Sequence, residues 1–439
     1  MKFLHAHVRW CVVALLFVTA VVSYLDRMVL SVLAPTLRSS LGFGDVEYSY
    51  VVSSFLAAYA IGLTFCGRLI DRYGVKLMII CALAFWSFSG AIHAVATGWL
   101  SLVVFRILLG VGESFNSPAA GKTVAEWIPR RERGLCMAIA SNGNMVGAVI
   151  APPLVAGITL LLGWRWAFVV TGGIGLVVCW VWRRFYHSPD AHPALTESER
   201  ALILSDRKAP MASERVVPRP SVLALFSNRT CRGFFLARLL TDPISYFFIF
   251  WLPSYLQQER HFSIALIGIV GWLPFLASDV GGPGGGALSD WLVRRGLAPQ
   301  RARLSLMFLA ACCMPAAIIA ALTPWAWVSV VCIALVLGAQ SCWMANQLTY
   351  MSESVPRGHV ASMLALSTLG GSLGGIAANL MAGRLIHSIG YLPVFCILAF
   401  CHLLAWLVLY FTTRQGSSNE SVDSSARGSF RAPSSTGLP

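Results

Sequence analysis

Seven ionisable side chains stand inside stretches that are otherwise apolar enough to cross a bilayer. They are Asp26 and Arg27 in SYLDRMVLSVLAP, Arg106 and Glu113 in the fourth stretch, Arg238 and Asp242 in the seventh, and Asp279 in the eighth. A charge at the centre of a membrane helix costs about 2.5–3.5 kcal/mol even on permissive scales, so such groups face a wet cavity or one another and mark a pathway. Arg106 and Glu113 are seven residues apart, two helical turns, and share a face; Tyr24 and Arg27, three apart, also share one.

Two chemistries are available to this set. A carboxylate in a desolvated site takes up or releases a proton as its surroundings change, and a guanidinium or bound anion nearby shifts the balance again. Asp26 and Glu113 meet both conditions. A fixed cation can hold an anion, and arginine suits a carboxylate because its planar fork binds it bidentately and stays charged. Arg27 is the first such cation, and Arg106 is the second, polarising the acids. Arg238 is the third, with Asp242 one turn later able to occupy it. Neutral donors and acceptors for hydroxyl groups are Tyr24, Tyr59, Asn142, Asn144, Asn346, Gln347, Ser367 and Asn379. For Asn346, Gln347 and Asn379, hydrogen bonding between helices is the competing role.

The elements that position these groups follow from composition. Of 439 residues, 57% are hydrophobic and 12% charged, against about a quarter charged in soluble domains, and mean hydropathy is +0.70. Lipid is the solvent for most of such a chain. Spans are expected at 10–37, 47–69, 77–96, 99–122, 134–162, 165–186, 229–258, 264–291, 301–322, 326–351, 358–387 and 390–413. The start of the chain has the basic and apolar parts of a signal peptide, but the apolar run continues to Pro35 with no clean cleavage site, so it is kept as the first span.

Between the sixth and seventh spans lies the one long polar interruption, with DAHPALTESER, RKAPMASER and VPRPS. The expected organisation is therefore a six-helix half, 1–186, a linker, 187–228, a second six-helix half, 229–413, and a Ser-rich disordered tail, 414–439. Cations concentrate on alternate connections: Arg68, Arg72 and Lys76, then Arg130, Arg131 and Arg133, then the linker, Arg294 to Arg303, Arg357 and Arg414. The other connections, such as VATGW and TPWAW, are nearly free of Lys and Arg. By the positive-inside rule both termini and the linker are cytoplasmic. Orientation and anionic lipid also account for the +14 net charge, which is no sign of nucleic-acid binding.

The halves repeat one another. GRLIDRYGVK, Gly67 to Lys76, follows the second span and GALSDWLVRRG, Gly286 to Gly296, follows the eighth; EWIPRRERG and ESVPRG follow the fourth and tenth. Matching devices at matching places imply duplication about an axis along the membrane normal. The six-plus-six layout and the G-x-L-x-D-R-x-G-x-K loop resemble the major facilitator superfamily. YLDRMVLSVLAPTL, RILLGVGESFNSPAAGKTVAEWIPRRERG, APPL, GWRWAF and FWLPSYL resemble its anion:cation symporter branch, and within it the bacterial hexuronate transporters.

That resemblance implies an all-α fold of 12 transmembrane helices in two bundles, in a bacterial inner membrane. It further implies proton-driven symport of a small organic anion by a monomer, without a cofactor or metal. It places protonation at Asp26 and Glu113, substrate contacts at Tyr24, Tyr59 and Asn144, and bracing of helix ends at Gly67, Asp71, Arg72 and Asp290. Ser23 departs from the Asn of many relatives, and GGPGGG is unusually rich in glycine. Other anions (galactonate, glucarate, an aromatic carboxylate) stay open, as do an efflux antiporter, prompted by Gly143, Gly147, Pro152 and Pro153, and a non-transporting anion sensor.

Several classes are excluded or bland. No nucleophile elbow, P-loop or dinucleotide fingerprint is present. The 12 cysteines form no CxxC pair and read as small buried hydrophobes. The histidines, His93, His261 and His387 among them, read as residues of span ends and loops. Trp99, Trp164, Trp166, Trp325 and Trp327 read as an aromatic belt.

Overall fold

The computed structural model describes residues 8–208, 226–355 and 359–414. Arg215, Arg219, Arg357, the end of the ESVPRG echo and the Ser-rich tail lie outside the described residues. Among the described residues, twelve helices are long and apolar enough to span a membrane. They are α1 (Val8–Leu41), α2 (Asp45–Tyr73), α3 (Val75–Val95), α4 (Trp99–Trp127), α5 (Arg133–Leu162), α6 (Trp164–Phe185), α7 (Arg229–Gln258), α8 (Ile264–Arg294), α9 (Pro299–Leu322), α10 (Ala326–Ser354), α11 (Ser362–Ile389) and α12 (Leu392–Thr413). Each expected span falls on one of them.

Two six-helix bundles result. In the first, α1 packs on α5 and α6, α2 on α4, and α3 on α6; in the second, α7 packs on α11 and α12, and α8 on α10. Tight reversals join helices at matching places in the two bundles. Gly74 and Gly296 follow α2 and α8, Gly163 and Gly390 follow α5 and α11, and all four have positive φ, between 83° and 96°. Side chains with a Cβ rarely adopt that conformation, so the duplication is visible in the backbone as well as in the loops.

Without a hydrophobic force between helices in lipid, close approach through small residues has to supply packing. Gly143 and Gly147 of α5 lie on the carbonyls of Phe17 and Val21 of α1, and Gly370 and Gly374 of α11 lie likewise on Phe235 and Leu239 of α7. Gly143 and Gly147 of span five thus serve the seam inside the first bundle.

The polar connection after α6 contains a surface helix, Glu197–Lys208, that docks on the first bundle. Glu199 is buried and accepts hydrogen bonds from the main-chain N–H groups of Val8 (3.3 Å) and Arg9 (3.2 Å), the otherwise unsatisfied start of α1. Arg9 also pairs with Glu132 at 3.0 Å. His192 sits edge-on to Trp127; its Nδ1 accepts from the Ala194 N–H at 3.2 Å and its Nε2 donates to the Phe185 carbonyl at 3.1 Å.

Two predictions follow from these contacts. A Cβ at position 147 would stand 2.6 Å from the Val21 carbonyl oxygen, so Gly147→Leu should destabilise the detergent-solubilised protein by about 1–3 kcal/mol, read as a lowered Tm. Burial lowers the proton affinity of the His192 imidazole below its usual range. Only the neutral ring can accept from Ala194, so docking of the linker is complete above the usual histidine range, about 6.5. It is lost as pH falls through the depressed value. Limited proteolysis should cut the linker faster in acid, and His192→Ala should remove that pH dependence by cutting fast throughout.

Candidate functional site

Asp26 and Arg27 are neighbours on α1, and successive helical residues point about 100° apart. Arg27 faces the gap between the bundles, while Asp26 turns inward toward Gly90 of α3 and Thr171 of α6. The Arg27 Nε donates to Glu113 Oε2 at 2.6 Å, and the Ser23 hydroxyl donates to the same oxygen at 3.1 Å. The guanidinium lies 4.8 Å from the ring centre of Tyr59, 5.1 Å from Phe55 and 5.8 Å from Tyr24. Three aromatic faces therefore hold the cation in place.

Both terminal nitrogens of Arg27 are left without a protein acceptor among the described residues. The side chain keeps 19% of its surface accessible, while Glu113 has none. An arginine held at one edge and open at the other is a ready site for a carboxylate.

Arg106 does not bond Glu113, although the two share a face of α4. Its Nη2 donates to the Arg27 main-chain carbonyl at 3.3 Å, its guanidinium lies 5.6 Å from the Phe55 ring centre, and its Nε and Nη1 have no partner. Arg106 therefore steadies α1 and keeps spare donors within electrostatic reach of Asp26 and Glu113. Glu113 ends the first part of α4, Trp99–Glu113, and the helix resumes at Asn116. Pro118 supplies the reason: it has no N–H for the carbonyl of Ser114. Neither oxygen of Asp26 and only one of Glu113 is hydrogen-bonded.

Across the gap, Tyr246 of α7 lies within electrostatic reach of Arg27, Asp242 and Arg238. Arg238 and Asp242 pair with each other at 2.7 Å, and Arg238 borders a small cavity with Gln347 and Ser367. The remaining polar residues divide. Asn144 is half-buried with no side-chain hydrogen bond among the described residues. Gln347 accepts from Trp343 at 2.9 Å and Asn346 donates to the Cys342 carbonyl of its own helix at 2.9 Å. Asn379 takes the Trp251 indole N–H at 2.9 Å and donates to Gly375 at 2.8 Å. Asn379 thus joins α7 to α11, the competing role, rather than facing the gap.

The loop residues keep to their own bundles. Asp71 pairs with Lys122 at 2.7 Å, not with Arg72, which lies over the Tyr73 ring; Gly67 is exposed. Asp290 pairs with Arg303 at 2.7 Å, and Arg303 reaches Glu353 at 3.3 Å. None of these three pairs joins the bundles.

At the opposite face the bundles are sealed together. Tyr48 donates to the Phe250 carbonyl at 2.8 Å, Arg38 to Ser254 at 2.7 Å, and Ser31 to Phe250 at 3.2 Å. Arg38 also pairs with Asp45 and lies between the rings of Tyr48 and Trp251, 4.7 and 5.5 Å from their centres. Gly268 of α8 lies on Ala156 of α5, and Gly383 of α11 on Ser49 of α2. Sequence reasoning missed this seal. Its signal was Arg38 itself, a cation on a face whose connections carry few of them. It also missed His402, which lies midway along α12, buried against Gln340 and Trp343.

Among the described residues no three His, Cys, Asp or Glu side chains gather as a metal site. What the fold and site define is an all-helical membrane carrier with a polar centre between two bundles, closed at one face. The model for the Major Facilitator Superfamily matches residues 16–378, and the chain belongs to that superfamily. It is 31% identical over 400 residues to a probable galactarate/D-glucarate transporter of Bacillus subtilis (strain 168), covering 87% of each chain. It is 29% identical over 405 residues to the hexuronate transporter of Escherichia coli (strain K12), covering 92% of this chain and 93% of that one. The crystal structure of a D-xylose-proton symporter superposes with a TM-score of 0.72 at 14% identity, over 91% of this chain and 97% of that one. The protein is a multi-pass membrane transporter, not an enzyme.

The seal carries a prediction. Hydrogen bonds to a charged group contribute about 1.5–3 kcal/mol, so Arg38→Ala should move the balance between sealed and open forms by about 10- to 150-fold. Hydrogen-exchange mass spectrometry should show faster amide exchange around Tyr48 and Trp251, with the α1–α5 seam unchanged.

Proposed function

We propose that this transporter carries a sugar-acid anion, a hexuronate or the related aldarate, together with protons. The observation that carries this reading is the divided Arg27, bonded to Glu113 on one side and open on the other. An incoming carboxylate competes with Glu113 for the same guanidinium. Once displaced, Glu113 is a buried carboxylate without its cation, a state that costs several kcal/mol. A proton removes that cost, so anion binding and protonation favour each other. Asp26, turned away from the gap and without a cation in contact, is accommodated as the neutral acid and forms the second proton site. Tyr24 and Tyr59 supply hydroxyl contacts beside the anion, and Arg106 holds α1 while its spare donors await whichever acid is charged.

The relatives' substrates support the class of anion, and the basic connections on one face support cytoplasmic termini in a bacterial inner membrane. With that orientation the sealed face is the outer one and the site opens inward. Rocking of the two bundles about the site then exchanges the cross-bundle seal for its counterpart on the other face. The fuel is the proton gradient, and the bound species are the anion, protons and lipid.

The test uses purified protein in vesicles with an imposed pH gradient, and glucuronate, galacturonate, glucarate and galactonate as substrates. Wild type should accumulate at least one of them. Glu113→Gln should abolish gradient-driven accumulation while leaving exchange of labelled for unlabelled substrate. Accumulation that survives in this variant removes Glu113 from coupling, extrusion by wild type would mean antiport, and binding without flux would mean a sensor.

A further inference from the structure

Six of the seven acids and arginines singled out within the spans belong to the arrangements already described, and Asp279 does not. It lies midway along α8, Ile264–Arg294, the second-bundle helix that meets α5 of the first. The neighbours on α8 show where it points. Ser278 hydrogen-bonds Ser341 of α10, and Gly281 and Gly285 lie against Gly338 and Cys342 of the same helix. Leu276 and Val280 form the exposed apolar side, and Val280 borders a lipid-side groove with Ala277 and Cys313. Asp279 takes the remaining direction, toward the gap, where it is half-buried and within electrostatic reach of Tyr24 on α1.

No cation compensates it among the described residues. Between Cys136 and Leu162, α5 carries no ionisable side chain; α10 presents Ser341 and Cys342, and the cysteine faces the groove. On α9, Cys313 borders that same groove and Arg303 is held by Asp290 and Glu353. On α7, Arg238 is held by Asp242. From α1 the facing group is Tyr24, with Arg27 behind it, already paired with Glu113. Asp290 and Arg294 on α8 itself are at least eleven residues away, about 16 Å along the helix.

An unpaired carboxylate here repels the anion that Arg27 attracts. The repulsion disappears only if the acid is neutral while the anion is bound. We infer that Asp279 is a third proton-carrying group, contributed by the second bundle, which takes up a proton with the anion and returns it to water when the anion leaves. This rests on the sugar-acid symport reading. In each cycle the Asp279 carboxylate accepts one proton from the outer water and yields one proton to the inner water; no other bond changes. The two bundles would then each bring acids to the site, although only the first holds its acid by an arginine facing the anion.

The experiment is the slope of log Kd against pH for glucuronate and glucarate, read by ligand-induced thermal stabilisation, in wild type and D279N. Each proton taken up with the anion adds one to that slope, a tenfold change in Kd per pH unit. D279N should lose one from the slope and bind more tightly at high pH, where the charged form repels the anion. An unchanged slope in D279N with a sloped wild type overturns the role of Asp279 alone. A flat wild type overturns proton-linked binding, and with it both readings. A readout that needs no ligand is the infrared difference spectrum between acid and alkaline pH. Wild type should show a protonated-carboxyl band that D279N lacks, and identical spectra overturn the proposal even if neither sugar acid binds.

Discussion

An arginine and a glutamate bonded at 2.6 Å in the middle of a membrane protein set the terms for everything around them. Breaking such a pair by removing one partner leaves an uncompensated buried charge, at about 3–5 kcal/mol. The surroundings are arranged to hold it: Ser23 shares the accepting oxygen, three aromatic rings surround the guanidinium, and Arg106 clasps the carbonyl of Arg27 itself. α1 must then keep one rotation and one height. The glycines of α5 set the helix spacing by letting its backbone meet that of α1, and Glu199 satisfies the free N–H groups where α1 begins.

Charge is distributed unequally between the bundles, which gives the two faces different work. At the basic face each loop aspartate finds its cation inside its own bundle, Lys122 for Asp71 and Arg303 for Asp290. At the other face Arg38, Tyr48 and Ser31 reach across to α7. Internal pairs tie each bundle into a rigid body, and crossing bonds hold two rigid bodies shut. A structure with bonds of the first kind at one end and of the second kind at the other has a direction in which it can open.

Much of this was legible in the chain because lipid imposes strong rules. Every expected span corresponds to a helix, since a backbone in hydrocarbon has few other ways to satisfy itself, and the duplicated loops signalled two bundles. The ionisable residues stood out because they are scarce. What spacing could not tell was partnership. Glu113 lies on the same face as Arg106, but the nearer cation comes from α1, a contact decided by tertiary packing. Asn379 is a polar residue in a span, as Tyr59 is, yet it holds α7 to α11, while Asn346 bonds within its own helix. The role of Arg38 was not legible, because the seal it forms depends on α7, more than two hundred residues away.

The adjacency of Asp26 and Arg27 is best understood as two environments served by one helix. Had both faced the gap they would have neutralised each other and left nothing for an anion. Because neighbours on a helix diverge by about 100°, Arg27 meets the gap while Asp26 meets the interior of its own bundle, against α3 and α6. Arg106 stands between these regions, bonded to the Arg27 carbonyl and in reach of both acids. A change of partner at Arg27 therefore reaches Asp26 by two short routes, through the field of Arg106 and through the position of α1. Proximity alone would give repulsion and attraction at one spot; the divergence of the two side chains links a cation facing the gap to an acid enclosed in its own bundle.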